Sequence, residues 1–363
     1  MTTRNNNLPS RTPGGSNRGR PSGTASKSRN TAASKTKPKK GPFARLARAL
    51  LILLLVAILA GLGYGGYLWW KLEHGVFNTD AGGSIDPAQS ASVKPLTILL
   101  LGTDNRPKHA SNLTDVIMVA SLNPDTKSAT VVSLPRDTLV QLSGYKQTKI
   151  NEVYTRFKRN EAESGKRAED QIKTMMGKYL GVEVDYVVLL DFQGFRDVVD
   201  KLGKVSVNIS RDMCYTDSVD GTDINLTKGP AKLDGDSALD YVRYRKSNCK
   251  PKTAASDDFD RNKRQNEVLN ALVDKLQSLG GVLKIGGVLD AVDDNMKTDI
   301  EGEQIKDLIT TYMKISKSDI EFKPVTGTWH SPFVYINDKE LEAAKQSLQD
   351  RIAGKSSGAA VAP

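Results

Sequence analysis

From Ala49 to Trp70 the chain reads ALLILLLVAILAGLGYGGYLWW, without a single charge, and this run limits the possible architectures more than any other feature. At 1.5 Å per residue such a helix crosses a hydrocarbon core of about 30 Å. Arg45 and Arg48 stand directly before it, and Trp69 and Trp70 close it. Basic residues stay on the cytoplasmic side and indole rings favour the far headgroup region. The sequence therefore predicts one span at 49–70, a cytoplasmic N-terminus, and an extracytoplasmic remainder. A cleaved signal peptide has a shorter apolar core, of about 7–15 residues, ending at a small-x-small site. Here the run leaves through Tyr67-Leu-Trp-Trp-Lys-Leu, which favours an uncleaved anchor. Gly61-Leu-Gly63-Tyr-Gly-Gly66 matches a dinucleotide fingerprint only in letters, because no βαβ unit surrounds it. Ala57, Gly61 and Gly65 make a small-residue stripe that also occurs in unpaired membrane helices.

Charge divides along the same line. The first 48 residues hold 12 Lys/Arg and no Asp/Glu, more than the whole formal net charge of +10. The rest is slightly acidic, so the basic balance belongs to the tail and is no nucleic-acid signature. That tail lacks aromatics before Phe43 and is too polar to fold; beside a membrane it attracts anionic lipid. The expected organisation is a disordered basic tail at 1–48, the anchor at 49–70, a polar stalk at 71–94, a folded domain at 95–330, and a C-terminal helix with a disordered tail at 331–363.

Within the exported part, Leu96–Leu101, Val116–Leu122 and Ala129–Leu134 are short apolar runs bounded by turn residues, hence buried strands. Asn123-Pro-Asp-Thr joins the last two as a hairpin turn. Periodicity predicts helices over Asn151–Glu163, Ala168–Leu180, Phe192–Leu202, Asp234–Arg243, Phe259–Leu279, Glu303–Lys314 and Asp338–Ile352. Further strands are expected at Tyr186–Leu190, Val205–Ile209 and Ile320–Val325. The mixture indicates an α/β fold, a mixed central β-sheet flanked by helices and preceded by the transmembrane helix. The two cysteines, Cys214 and Cys249, are both exported. An oxidising compartment permits a disulfide worth roughly 3–4 kcal/mol; two free thiols are the alternative.

Familiar catalytic kits are missing. There is no G-x-S-x-G elbow, Walker A sequence or HExxH, and the three histidines are scattered. Ser143-Gly-Tyr-Lys146 fits S-x-x-K without its companion motifs. Arginine and aspartate instead gather at strand ends and helix starts: Gly102-Thr-Asp104-Asn-Arg106, Thr114-Asp115 and Pro135-Arg136-Asp137. If those strands are neighbours, Asp104 and Asp115 converge as a small set of hard oxygen ligands, suited to Mg²⁺ held partly by a phosphate substrate. Arg243 and Arg245 can face one way where a helix unwinds, while Arg261, Arg264 and Gln265 lie at i, i+3 and i+4. Arginine forks match phosphate oxygens. Singly, each of these residues reads as a solvated charge or, for Asp257 and Asp258, as a helix cap. Asp137 reads as the partner of a nearby arginine.

Taken in order, these pieces, with Lys149-Ile-Asn151, Asp191-Phe-x-Gly-Phe195, Leu233-Asp-Gly-x-x-Ala-Leu239, Tyr241-Val-Arg243-Tyr-Arg245 and Asp258-Phe-Asp-Arg261-x-x-Arg264-Gln265, resemble the LytR-CpsA-Psr family from about Leu96 to Leu279. The resemblance implies a Mg²⁺-dependent phosphotransferase at the cell membrane. It would move an anionic glycopolymer, of the teichoic acid or capsule type, from undecaprenyl pyrophosphate to the C6 hydroxyl of N-acetylmuramic acid in peptidoglycan. It further implies that Asp104 and Asp115 hold Mg²⁺, that Arg106, Arg136, Arg243, Arg245, Arg261 and Gln265 bind the pyrophosphate, and that Asp104, Asp115 and Arg136 are catalytic. The polyprenyl chain would lie in an apolar tunnel between sheet and helices. The 246–257 connection, with Cys249, is longer than the family pattern; it is expected to form a lip at the site, pinned through Cys214. A polyprenyl-pyrophosphate-binding or pyrophosphatase protein regulating envelope assembly is the alternative.

Overall fold

The computed structural model describes residues 85–104, 113–219, 221–256, 258–313 and 315–355. The basic tail, the expected span at 49–70 and most of the stalk lie outside them. No helix among the described residues is long and apolar enough to cross a membrane.

The first three apolar runs form β1 (Leu96–Thr103), β2 (Thr114–Asn123) and β3 (Ser128–Leu134), an antiparallel meander. Two short strands follow, β4 (Leu139–Val140) and β5 (Thr148–Lys149), then helices α1 (Val153–Arg159), α2 (Glu161–Ser164) and α3 (Ala168–Leu180). After β6 (Tyr186–Asp191) and α4 (Phe192–Leu202) come β7 (Val205–Ile209), β8 (Met213–Asp217), β9 (Thr222–Leu226) and β10 (Gly229–Leu233). Helices α5 (Gly235–Arg243), α6 (Asp258–Gln277) and α7 (Leu279–Val292) then lead to β11 (Met296–Thr298), α8 (Gly302–Tyr312) and β12 (Ile320–Pro324). The hairpin β13 (Gly327–His330) and β14 (Phe333–Ile336) and the helix α9 (Asp338–Ile352) complete the order.

The central sheet has the order β11-β6-β1-β2-β3-β12. It is mixed: β6 and β12 run parallel to their neighbours β1 and β3, and the remaining pairs are antiparallel. Because strand side chains alternate between faces, each apolar run serves two cores. Leu99, Leu101, Ile117, Val119 and Val132 pack beneath Ile172, Met175, Met176 and Leu180 of α3 and Ala344 and Leu348 of α9. On the other face Met118, Ala120 and Val131 meet Leu100, Leu269 and Phe322. A separate cluster, with Val199, Val205, Met213, Leu239, Tyr241 and Val268, joins α4, α5 and α6 to the small strands.

Several expectations are revised. Asn151–Glu163 is broken into a 3-10 turn and two helices rather than one. The long helix after Asp258 stops at Gln277, and α7 follows at once; its Gly280-Gly281 and Gly286-Gly287 pairs disguise a helix as a loop. Strands β8 to β10 were not anticipated, because their sequences are rich in Asp, Asn, Thr and Lys. A division at residue 330 falls inside the β13–β14 hairpin, and α9 belongs to the main core.

Candidate active site

All the strand ends named above meet at one edge of the sheet. Asp104 follows β1, Asp115 begins β2, Arg136 follows β3 and Asp191 ends β6. Between this edge, the second face of the sheet and helices α4 to α6 lies a cavity of about 460 Å³. Its walls are apolar: Leu100, Met118 and Val188 from the sheet face Val242, Val268 and Leu272 from the helices. Its polar lining consists of Asp104, Asp115, Arg136, Asp191, Arg243, Arg245, Arg261 and Gln265. The structure therefore brings together the site residues expected from sequence except Arg264, which does not line the cavity, and Arg106, which lies outside the described residues, as does Asp257.

Asp115 reaches the cavity through a local irregularity. Gly102 pairs with Val116, but the next residue, Thr103, pairs with Thr114, so Asp115 is the extra residue of a β-bulge. Strict alternation would aim Asp115 with Ile117 and Val119 into the α3 core; the bulge re-aims it. Gly102 permits the close approach, since a Cβ there would stand 2.8 Å from the Val116 Cβ.

Once turned, Asp115 accepts a hydrogen bond from Arg136 Nη1 at 2.7 Å. The arginine loop is itself tied down. Thr138 N–H donates to the Pro135 carbonyl at 3.0 Å and Asn151 N–H to the Arg136 carbonyl at 3.2 Å. Asp137, only 4% exposed, does not enter the cavity. It lies 3.5 Å from Arg136 Nε and 2.8 Å from Lys149 Nζ, so its role is to orient the cation beside it. Lys149 and Asn151 thus act behind the site, holding the Arg136 loop.

The helical arginines arrive by two different devices. Helix α5, capped at its start by Asp234 accepting from Ser237 N–H, stops at Arg243. Tyr244 then adopts φ −52° and ψ 130°, and two residues apart on an extended chain share a side. Arg243 and Arg245 therefore line the cavity while Tyr244 is fully buried. The Arg243 guanidinium sits 4.9 Å from the ring centre of Phe192, the first residue of α4. On α6, Arg261 and Gln265 are separated by little more than one turn and share the cavity face. Arg264, expected beside them, is rotated away and is 4% exposed. It donates to Ser256 Oγ at 2.8 Å and to the Tyr244 carbonyl at 2.5 Å, stitching α6 to the end of α5. Burial holds its pKa below the ordinary arginine value.

The 246–256 connection is pinned away from the cavity lining. Cys214 and Cys249 form a disulfide with Cα atoms 5.9 Å apart. Asn248 Oδ1 accepts from Thr216 N–H at 2.9 Å, and Ser256 N–H donates to the Arg245 carbonyl at 2.8 Å. None of its residues lines the cavity, in contrast to the expected lip; Arg245, directly before it, does.

Asp104 and Asp115 form an oxygen-only donor pair at the polar end, and this chemistry fits Mg²⁺. Among the described residues no group of three or more His, Cys, Asp or Glu could hold a metal, so phosphate and water oxygens would complete the shell. Sequence reasoning did not single out Asp191, Phe192 or the individual wall residues. The first two stand in the motif Asp191-Phe-x-Gly-Phe195, where the carboxylate caps α4 through Gly194 N–H at 2.9 Å.

A row of arginines and carboxylates over an apolar cavity, in a layered α/β domain, defines the site. The sequence profile of the LytR_cpsA_psr family matches residues 76–351, and the chain belongs to that family. It is 28% identical over 330 residues to the polyisoprenyl-teichoic acid–peptidoglycan teichoic acid transferase TagV of Bacillus subtilis (strain 168), covering 85% of this chain and 79% of that protein. It is 31% identical over 276 residues to the transferase of the same description, TagU, from Bacillus mycoides (strain KBAB4), covering 74% and 81%. The crystal structure of B. subtilis TagV aligns with a TM-score of 0.56 at 30% identity, over 72% of this chain and 98% of that one.

Proposed function

We propose that this chain is a membrane-anchored phosphotransferase that moves an anionic glycopolymer from undecaprenyl pyrophosphate to the C6 hydroxyl of N-acetylmuramic acid in peptidoglycan. The observation that carries this reading is the joining of four arginines and three aspartates to one apolar cavity. A polyprenyl pyrophosphate is the substrate class with a matching division into an apolar chain and a multiply charged head. The names of the related transferases support the same donor and acceptor classes.

In this mechanism the apolar walls take the first part of the prenyl chain. Arg136, Arg243, Arg245 and Arg261 neutralise the pyrophosphate, as phosphoryl transfer chiefly demands positioning and charge compensation. The acceptor hydroxyl oxygen bonds to the phosphorus that carries the glycopolymer. The bond from that phosphorus to the bridging oxygen breaks, undecaprenyl phosphate leaves, and the hydroxyl proton passes to a carboxylate at Asp104 or Asp115. Mg²⁺ held by those two aspartates would supply charge stabilisation of the transferring phosphoryl group. Read from sequence, the run at 49–70 is an anchor that keeps the domain outside the cytoplasmic membrane, where the carrier lipid and the wall are found and ATP is not. The pyrophosphate bond of the donor then supplies the driving force. Of the stalk expected at 71–94, residues 85–94 instead belong to the domain, with Ala91 buried and its N–H donating to Gln304 Oε1.

The test incubates the full-length chain with Mg²⁺, a lipid-pyrophosphate-linked saccharide and a peptidoglycan oligomer. The expected product is a saccharide–phosphate–muramic acid adduct, lost in Arg136→Ala and Asp104→Ala. Release of phosphorylated saccharide alone, with acceptor present, would replace transfer by hydrolysis, and lipid binding without turnover would leave a carrier-binding role.

A further inference from the structure

The β13–β14 hairpin projects two of the most exposed large apolar side chains among the described residues, Trp329 at 51% and Tyr335 at 45%. Its attachment does not depend on them. Val334, 4% exposed, is the anchor: its N–H donates to the Asp137 carbonyl at 2.9 Å and it bridges Thr138. Trp329 is the cross-strand partner of Val334, so its ring emerges at the margin of the face that docks on the domain. Tyr335 lies on the other face, edge-on to His330 with ring centres 5.6 Å apart.

A chain of side chains connects Trp329 to the candidate active site. Lys149 Nζ lies 5.7 Å from the Trp329 ring centre and 2.8 Å from Asp137 Oδ1. Asp137 Oδ2 is 3.5 Å from Arg136 Nε, and Arg136 lines the cavity. The residues that orient the cavity cation therefore also set an ammonium group beside an exposed indole.

Resting on the transfer reaction proposed above, we infer that this hairpin is the platform for the acceptor glycan, with Trp329 stacking on a sugar ring and Lys149 binding its polar edge. A pyranose offers a flat face of C–H bonds, weakly positive, which suits the negative face of an aromatic ring. Its hydroxyl, acetamido and carboxylate oxygens are acceptors, and an ammonium group supplies three donors. The chemistry favours a glycan over a lipid surface. The hairpin from Gly327 to Ile336 contains no Lys or Arg, and Lys149 beside the indole is a single ammonium already paired with Asp137, whereas binding to anionic bilayers draws on clusters of basic residues beside the apolar ones.

The probe is soluble, uncross-linked peptidoglycan glycan strands, added to the full-length chain in detergent. Binding of strands is expected to weaken about tenfold in Trp329→Ala and to survive in Trp329→Phe, which keeps a ring. Affinity for a prenyl pyrophosphate stays unchanged in both. A second measurement needs no variant: in the wild-type chain, strands at roughly ten times their Kd slow oxidation of Trp329 about tenfold, read by mass spectrometry. Undiminished oxidation, or unaltered strand affinity in Trp329→Ala, overturns the inference. So does a result in which Trp329→Ala loses only binding to phosphatidylglycerol vesicles. These readings require no turnover, so the platform and the transfer reaction can fail separately.

Discussion

Gly102→Ala tests the device that aims Asp115. The added methyl would sit 2.8 Å from the Val116 Cβ and 3.0 Å from its Cγ2, against an ordinary carbon–carbon contact of about 3.5–4.0 Å. Strands β1 and β2 must therefore part by several tenths of an ångström where Gly102 faces Val116. Neither contact is the end of a flexible side chain, so the strain cannot be relieved by rotation about a distal bond. Overpacking of this kind costs about 1–3 kcal/mol. For a domain of this size, at about 2–4 °C per kcal/mol, that lowers Tm by roughly 2–12 °C. The effect on transfer should be larger than the effect on folding, because the displaced pair is the one whose register turns Asp115 toward the cavity. A misplacement near 1 Å costs on the order of a hundredfold in rate. The assay compares initial transfer rates at 25 °C, well below either Tm, with melting by scanning calorimetry on the same samples. A variant with unchanged Tm and a rate within twofold of wild type would refute the claim that this close approach holds the bulge.

Three further outcomes are expected. Phe192→Leu keeps an apolar, though smaller, side chain but removes the ring under Arg243, and prenyl-pyrophosphate affinity should fall about three- to tenfold, read by titration calorimetry. Reducing the Cys214–Cys249 disulfide, which closes a separation of 35 residues, should destabilise the domain by about 3–4 kcal/mol, seen as a lower Tm in dithiothreitol and no change in a Cys214→Ser/Cys249→Ser chain. Burial pushes the Asp240 carboxyl up to about 6, partly opposed by Arg243. The native state therefore binds this proton more tightly than the unfolded chain, and stability from this group falls as pH rises from about 4 through 6. Asp240→Asn should raise stability at pH 7.5 by on the order of 1 kcal/mol after solvent screening and leave it unchanged at pH 3.5; equal effects at both pH values would refute the assignment.

Much of the fold is legible because period and burial agree. Ala168–Leu180 and Phe192–Leu202 occupy the spans that their apolar spacing predicts, since their buried residues recur on one face. The strands of β8 to β10 could not be read in the same way. Their stability comes from pairing and from Met213, Ile224 and Leu233 reaching a shared core, while the intervening positions are polar. Helix α7 was hidden by its glycines, which signal flexibility when read locally.

The candidate site divides similarly. Asp104, Asp115, Arg136, Arg243 and Arg261 were legible as residue types suited to a phosphate and its cation, because few groups have that chemistry. Their order along the chain pointed to the family now matched by its profile. What the sequence could not decide was aim. Arg261 and Arg264 are equally plausible phosphate ligands as letters, yet the phase difference of about 60° between i and i+3 sends Arg261 to the cavity and Arg264 to the Tyr244 carbonyl. Asp115 faces the cavity only because a bulge breaks the alternation that its neighbours obey. Trp329 is distant in sequence from Arg136, Asp137 and Lys149 and joins them only when β14 docks on the Arg136 loop. Composition and periodicity determined the layers and the chemical inventory, because hydrophobic burial and charge are properties of residues; direction and adjacency required the tertiary structure, because they depend on register, and a shift of one residue reverses a strand's face.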